Sequence, residues 1–394
     1  MSKAQRTSEA EGLADSASLI DELLKTPAKG NAERRAQILL RIADLFRAGS
    51  RRYTSEQIAL FDDVLQELTA DIEIKTRARL SHTLAGIENA PPKTVRTLAF
   101  DDEIAVAGPV LVHSLQLTDA DLVENATSKS QEHLLAIAQR LSVSEAVTDV
   151  LVRRGDRRVV HKIVENTGAR FSLAGHEMLT IRAYNDHKLT LALGRRSDIP
   201  RQFFLKLLEN ASASVRARLE AANPEAVDAV RDALDAVTAT VRQEVREASQ
   251  EHATAVRETE RRARVEPLTE ASVHAPARAQ EFEKTALALS RLGGFPLDQV
   301  ERALLDEGGD MVLLFAKAAG CTWTTTRELL TMYAANRGLS AEDLARALAR
   351  YRKLSQKTAI SIVAFQGRKP GKRRSAGKAA ARVLPPQAAM AQAI

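Results

Sequence analysis

The stretch Leu134-Leu135-Ala136-Ile137-Ala138-Gln139-Arg140 returns in altered form as Val160-His161-Lys162-Ile163-Val164-Glu165-Asn166, and again as Leu191-Ala192-Leu193-Gly194-Arg195-Arg196. Each copy reads as a short apolar helix running into a polar turn. A second apolar segment follows each of them, at Ser144–Arg153, Ser172–Tyr184 and Pro200–Leu208. Anchoring on Val110, Ile137, Ile163 and Leu193 gives steps of roughly 26 to 30 residues, inside the range of stacked helical repeats. One such helix pair cannot bury its apolar face alone, whereas stacked pairs make a continuous core.

The same spacing extends outward. Ile38, Ile42 and Leu45 share a helical face, as do Ile58, Phe61, Leu65 and Leu68. So do Leu134, Ile137, Ala138 and Leu141, and then Val147, Val150 and Leu151. Thr54 with Gln57, Thr118 with Asp121, Ser142 with Glu145, Thr325 with Glu328 and Ser340 with Asp343 fit capping boxes. Asn223 followed by Pro224 reads as a cap with proline in the first turn. Aromatics are only 4% of the chain, which disfavours strands. Few segments alternate with period two, so essentially no β-structure is expected.

The runs Phe100 to Leu111, Leu117 to Leu122, Ser130 to Ala138, Ser144 to Asp149 and Arg154-Gly155-Asp156 carry a resemblance. They are similar to an uncharacterised bacterial family, a domain of unknown function with HEAT-like helical repeats. The resemblance covers about residues 30–366. It implies a HEAT-like α-solenoid and a second helical region. The family brings no activity, so no functional residue carries over.

The expected architecture is all-α, a HEAT-like α-solenoid of two-helix repeats followed by a long helix and a smaller C-terminal helical domain. Residues 1–17 read as a disordered N-terminus and 18–222 as the repeat domain. Residues 223–266 read as a long solvated helix striped by Val227, Val230, Leu234, Val237 and Val241. That stripe fits a spacer helix packed on its neighbours, or a dimerisation seam through residues 223–264. Residues 267–279, with Pro267 and Pro276, read as a linker, and 280–366 as the C-terminal domain. Its helices are expected at Gln280–Leu292, Leu297–Asp306, Met311–Ala318, Thr325–Asn336, Ala341–Lys353 and Lys357–Phe365. Residues 367–394 read as a basic disordered tail.

Net charge is +6, but the tail alone holds Arg368, Lys369, Lys372, Arg373, Arg374, Lys378 and Arg382. Without those seven cations the remainder is close to neutral. The tail lacks aromatics for base stacking, so nucleic-acid binding through it would be non-specific and salt-sensitive. It also lacks the amphipathic helix of a lipid anchor. A second cationic cluster, Arg153, Arg154, Arg157, Arg158, His161 and Lys162, falls at one inter-helix turn. It suits phosphate or an acidic partner, or is a solvated turn partly neutralised by Asp149, Asp156 and Glu165. No apolar run reaches membrane-spanning length, Met1 to Ala17 lacks the apolar core of a secretion signal, and the one cysteine fits a reducing compartment. A cytoplasmic protein is expected.

Chemistry is hard to place. Cys321 precedes Thr322-Trp323 at a helix start, where the helix dipole lowers a thiol pKa, but no histidine follows it in sequence. The competing reading is a small buried residue beside the one tryptophan. The eight histidines have no partner histidine at helical spacing, and Asp101-Asp102-Glu103 reads as helix N-terminal charge. Gly367 to Arg373 lacks the spacing of a phosphate-binding loop. No catalytic, cofactor-binding or metal-binding residue is assigned. The function expected is a non-enzymatic scaffold or adaptor that binds another protein. The alternative is a non-specific nucleic-acid binder using the turn at 153–162 and the tail. Helical repeats also carry active sites, so an enzyme stays open.

Overall fold

Asp156 opens one of the repeated helices by accepting the Val159 amide at 3.0 Å. That helix, Arg157–Glu165, buries Val159, Val160, Ile163 and Val164 and stops at the extended backbone of Asn166. Cap, apolar stripe and polar stop recur along the chain. The computed structural model describes residues 32–69, 72–222, 224–306, 308–332 and 340–366, and among them the structure is all-helical. Contacts divide the chain into two compact units, residues 1–250 and 251–394.

The first unit opens with α1 (Ala32–Gly49), a 3-10 turn Ser50–Arg52, α2 (Ser55–Thr69), α3 (Ile74–Ala85) and α4 (Pro92–Ala99). It continues with α5 (Ile104–His113), α6 (Asp119–Ser128), α7 (Gln131–Ile137), α8 (Glu145–Arg154), α9 (Arg157–Glu165), α10 (Leu173–Ala183) and α11 (His187–Gly194). The long helices α12 (Arg201–Ala222) and α13 (Val227–Ala248) close it. Odd-numbered helices from α1 to α11 pack each on the next odd one. In the even row α2 packs on α4, and α6, α8, α10 and α12 pack in succession. The anchors Val110, Ile137, Ile163 and Leu193 are all buried and fall on α5, α7, α9 and α11, one row of this packing. A single apolar core runs through the unit, and Phe46, Tyr53 and Phe61 close its start with ring centroids 4.9 to 5.6 Å apart.

Several expectations need correction. Helix α7 ends at Ile137, so Leu141 leaves the apolar stripe and is 94% exposed, while Arg140 is buried in its place. The boxes Thr54–Gln57, Thr118–Asp121 and Ser340–Asp343 form as expected. Ser142–Glu145 does not, because Ser144 holds the N-cap position, and Thr325 sits inside a helix whose N-cap position is Thr322. Residues 224–266 hold a 3-10 turn and then two helices, broken at Ser249, whose ψ of 115° leaves the helical region. The first of them belongs to unit one and the second to unit two. Asn223 lies outside the described residues. So do 1–17 and the 367–394 tail, with Arg368, Lys369, Lys372, Arg373 and Arg374.

The second unit holds α14 (Gln250–Val265), α15 (Glu270–Arg278), α16 (Phe282–Gly293), α17 (Leu297–Leu305), α18 (Asp310–Ala318), α19 (Trp323–Thr331), α20 (Ala341–Lys353) and α21 (Gln356–Gln366). The expected linker at 267–279 therefore contains a helix. Thr269 and Ser272 cap α15 reciprocally, and Val273, Pro276 and Ala277 are buried as it packs on α16 and α19. Apolar α18 is the centre of the unit, touching α16, α17, α19, α20 and α21, with Phe315 set edge-on to Phe295 at 5.0 Å. Gly294 ends α16 at φ 66°, a conformation that glycine adopts without strain. His252 Nδ1 lies 2.6 Å from the buried Glu283 carboxylate and pins α14 to α16.

Candidate binding edge on the first unit

Short helices leave their last carbonyls without intrahelical partners. In the first unit the next repeat supplies the donors. Along the odd row, Arg140 donates to the carbonyls of Leu111 at 2.6 Å and Ser114 at 2.8 Å. One repeat on, Asn166 donates to Ala138 at 3.0 Å and Arg140 at 2.7 Å. Arg196 then donates to Val164, Asn166 and Ala169 at 2.8 to 2.9 Å. The even row repeats the device. Asn125 donates to Ala99 at 2.8 Å, Arg154 to Ala126, and Arg182 to Gly155 at 2.7 Å and Arg153 at 2.9 Å. Burial in this role lowers the pKa of Arg140 and of Arg182. Sequence reading missed these bonds, although a polar donor recurs at the repeat interval.

The odd-row ladder sets the loops after α5, α7, α9 and α11 side by side. Two of them pair like strands: the Val143 amide donates to Gly168 at 3.1 Å and the Arg170 amide to Val143 at 2.9 Å. Gly168 is required there, because a Cβ would sit 1.9 Å from the Leu141 carbonyl oxygen. Along this edge Leu115 is 70% and Leu141 94% exposed.

Two neighbouring clefts open at the far end of the edge. One, of about 570 Å³, is lined by Ser142, Glu145, Arg170, Phe171, His176 and Asp198 among others. The other, of about 600 Å³, includes Glu165, Lys188, exposed Leu191, Arg195 and again Asp198. His176 forms part of the first cleft's wall. Its ring lies 5.6 Å from Phe171 and is stacked at 5.6 Å on Phe203. It is 4% exposed, and its Nδ1 has no hydrogen-bond partner. Burial dominates its titration. The Asp198 carboxylate pulls the pKa up and Arg196 pushes it down, and the result is about 4. The imidazole is therefore neutral near pH 7, and its Nδ1 is buried without a hydrogen-bond partner. Arg170 and Glu145 stand exposed on the rim, and no other described residue pairs with either charge. Nothing in the sequence distinguishes His176 from the other histidines, since Phe171, Phe203, Arg196 and Asp198 reach it from three different segments.

The expected cationic turn takes a different form. Arg157 donates to Asp186 at 2.7 Å, and Arg158 to Glu132 at 2.9 Å and to Asp156. His161 Nε2 meets Asp186 at 2.8 Å, and Arg154 is tied to backbone carbonyls. Burial would raise the Asp186 carboxyl. The bonds from Arg157, His161 and the Leu189 amide override it and hold Asp186 far below the ordinary carboxylate range. Asp149 binds Ser172 at 2.7 Å instead of the turn's arginines. Arg153, Arg154 and Lys162 of the expected set are exposed and have no carboxylate partner among the described residues.

In the second unit, Cys321 is 2% exposed, and burial, with the nearby Glu270 charge, pushes its thiol up to about 12. The Tyr351 hydroxyl donates to its carbonyl, and Tyr351 also touches Trp323 at 5.7 Å. Glu270 accepts from the Thr322 amide at 2.8 Å and the Thr322 hydroxyl at 2.6 Å, and from Thr325. This is a helix cap made by another helix, and Cys321 is a packed residue beside it. Asp101 pairs with Arg77 at 2.6 Å and Asp102 with Lys129 at 2.6 Å, just ahead of α5. Among the described residues no three potential metal ligands converge, and no helix is long and apolar enough to cross a membrane.

These features define a protein that is all-helical among the described residues, with short helices in its first unit tied together by side-chain bonds to carbonyls. The chain belongs to the DUF2336 family, described as uncharacterised protein conserved in bacteria, which matches residues 106–364. The match starts within α5 and runs into α21, so it spans the loop edge and most of the second unit and omits α1 to α4. No curated protein and no solved structure matches the chain.

Proposed function

We propose that the chain is a cytoplasmic, non-enzymatic scaffold or adaptor, and that its first unit is a HEAT-like α-solenoid holding another protein. The observation that carries this reading is the edge of aligned loops. Leu115 and Leu141 are exposed in successive loops, and Leu141 directly precedes Ser142, which lines a cleft together with buried His176. Exposed leucines in register are a surface that a partner's apolar side chains cover. The backbone beneath them is fixed by the Arg140, Asn166 and Arg196 bonds, so a partner orders little on docking. Charge on the rim is mixed, Arg170 against Glu145, which favours a protein segment over a polyanion. The ion pairs of Arg157 and Arg158 support the same preference, since those guanidinium groups are already engaged.

The test is affinity capture of the tagged full chain at low and high salt, with and without nuclease, beside the Leu141→Asp variant. A discrete protein that resists salt and nuclease and is lost with Leu141→Asp supports the reading. Unchanged capture by the variant would remove the edge from consideration. Recovery of nucleic acid, with proteins that vanish on nuclease treatment, would favour the nucleic-acid reading through the 153–162 turn and the tail.

A further inference from the structure

Helix α21 carries Ala359-Ile360-Ser361-Ile362-Val363-Ala364-Phe365, in which Ser361 is the one polar residue. A helix apolar on every side is normally enclosed. This one packs on α18 and buries only Ala359 and Val363. At 100° per residue, Lys357, Ile360, Ser361, Ala364 and Phe365 fall within an arc of about 140° on the other side. All five are exposed, Ile360 by 47% and Phe365 by 77%.

Positive charge gathers on either side of this face in sequence. Beyond Asp343 the chain holds twelve lysines and arginines and no aspartate or glutamate. Two of the twelve are answered, Arg346 by Asp343 and Arg350 by Asp310. Arg352, Lys353 and Lys357, around the turn from α20 into α21, are exposed and have no carboxylate partner among the described residues. The other seven follow α21, from Arg368 to Arg382. The exposed apolar side chains of α21 thus fall between two groups of cations.

We propose that the exposed face of α21, with the cations before and after it, docks on an anionic lipid surface. Ile360 and Phe365 enter the boundary between headgroups and acyl chains, and the lysines and arginines meet acidic headgroups. Charge complementarity selects this occupant. A second copy of the chain would set like charges against each other. Nucleic acid engages cations and stacks on a ring, but leaves Ile360 uncovered. The segment 368–382 supplies charge and no apolar side chain larger than alanine or proline, so it suits a surface that reads charge alone. Sequence reading set a lipid anchor aside because the tail has no apolar helix, and α21 supplies one directly ahead of it. The proposal is independent of the loop edge in the first unit.

Flotation of the full chain with vesicles tests this, using about three parts phosphatidylcholine to one of phosphatidylserine, and phosphatidylcholine alone. The expected result is binding to the mixed vesicles only, and release by salt. Phe365→Ser should weaken binding at least ~5-fold, and Phe365→Leu much less. The triple variant Arg352→Gln, Lys353→Gln, Lys357→Gln should weaken it roughly 100-fold, since each cation near such a surface is worth about fivefold. All four side chains are exposed, so the variants should keep the natural far-UV circular dichroism and urea midpoint. A natural chain that does not float with the mixed vesicles overturns the proposal. So does vesicle binding that Phe365→Ser leaves unchanged. Binding of a labelled single-stranded RNA without vesicle binding, lost in the triple variant, would overturn it too and assign the cations to nucleic acid.

Discussion

His176 allows a direct test of how the first unit handles burial. Its folded pKa of about 4 lies below the ordinary histidine value. Between the two, the unfolded chain holds a proton that the fold does not. Stability contributed by the neutral ring is therefore complete above about pH 6.5 and is lost as pH falls toward 4. With an unfolded value of about 6.5, moving from about pH 7.5 to about pH 5 costs about 2 kcal/mol from this group alone. His176→Phe keeps an aromatic ring between Phe171 and Phe203, removes the unpartnered Nδ1 and removes the titration. The natural chain minus the variant should then show that loss of about 2 kcal/mol, because the carboxylates common to both cancel. Urea unfolding followed by far-UV circular dichroism at several pH values measures it. The one tryptophan, Trp323, lies in the second unit, so its fluorescence provides an internal control that the substitution leaves unchanged. Equal pH slopes for the natural chain and the variant would refute the argument, since they would mean that His176 is solvated or partnered in solution.

Arg196→Ala strips donors from the carbonyls of Val164, Asn166 and Ala169 and should cost ~3 kcal/mol or more by urea unfolding. Arg196→Lys should recover little of this, because an ammonium cannot span the fork. Gly168→Ala forces a Cβ onto the Leu141 carbonyl and breaks the Val143–Ala169 pairing. A loss of at least ~2 kcal/mol in thermal or urea unfolding is expected. Cys321, with its thiol at about 12, should react with a thiol reagent at about pH 8 at least ~100-fold more slowly in the native chain than in urea. Rapid native labelling would show that the residue is accessible.

The odd-row helices were legible because their anchors Val110, Ile137, Ile163 and Leu193 keep their spacing whatever else changes. Ala341–Lys353 could be read to its ends from a capping box and a clear apolar stripe. The failures have identifiable physical causes. Leu141 continues a helical period on paper, but α7 has already ended, and the buried place goes to Arg140 because two carbonyls need its guanidinium. Pro276 reads as a breaker until Val273 and Ala277 are seen packed on two other helices. Ser142 and Thr325 match a box pattern too short to be specific, and neighbours at Ser144 and Thr322 take the N-cap position. His176 was not legible at all. Its environment is assembled from Phe171, Phe203, Arg196 and Asp198, and no local spacing encodes that convergence.

The use of arginine in the first unit follows from the shortness of the helices. Helix α7 has 7 residues, α9 has 9 and α11 has 8, so about half of each helix's carbonyls lack an intrahelical donor. A stack of such helices can bury those ends only if the adjoining repeat supplies donors, and arginine reaches several carbonyls at once from one position. Arg140, Arg154, Arg182 and Arg196 each do this. Others, such as Arg157 and Arg158, balance the carboxylates that cap the opposite helix ends. An arginine count therefore overstates the positive charge that a partner meets. At the 153–162 turn, Arg157, Arg158 and His161 meet carboxylates, which leaves Arg153, Arg154 and Lys162 as charges without a carboxylate partner among the described residues. The number of arginines at a turn is therefore a poor guide to where a ligand binds this unit.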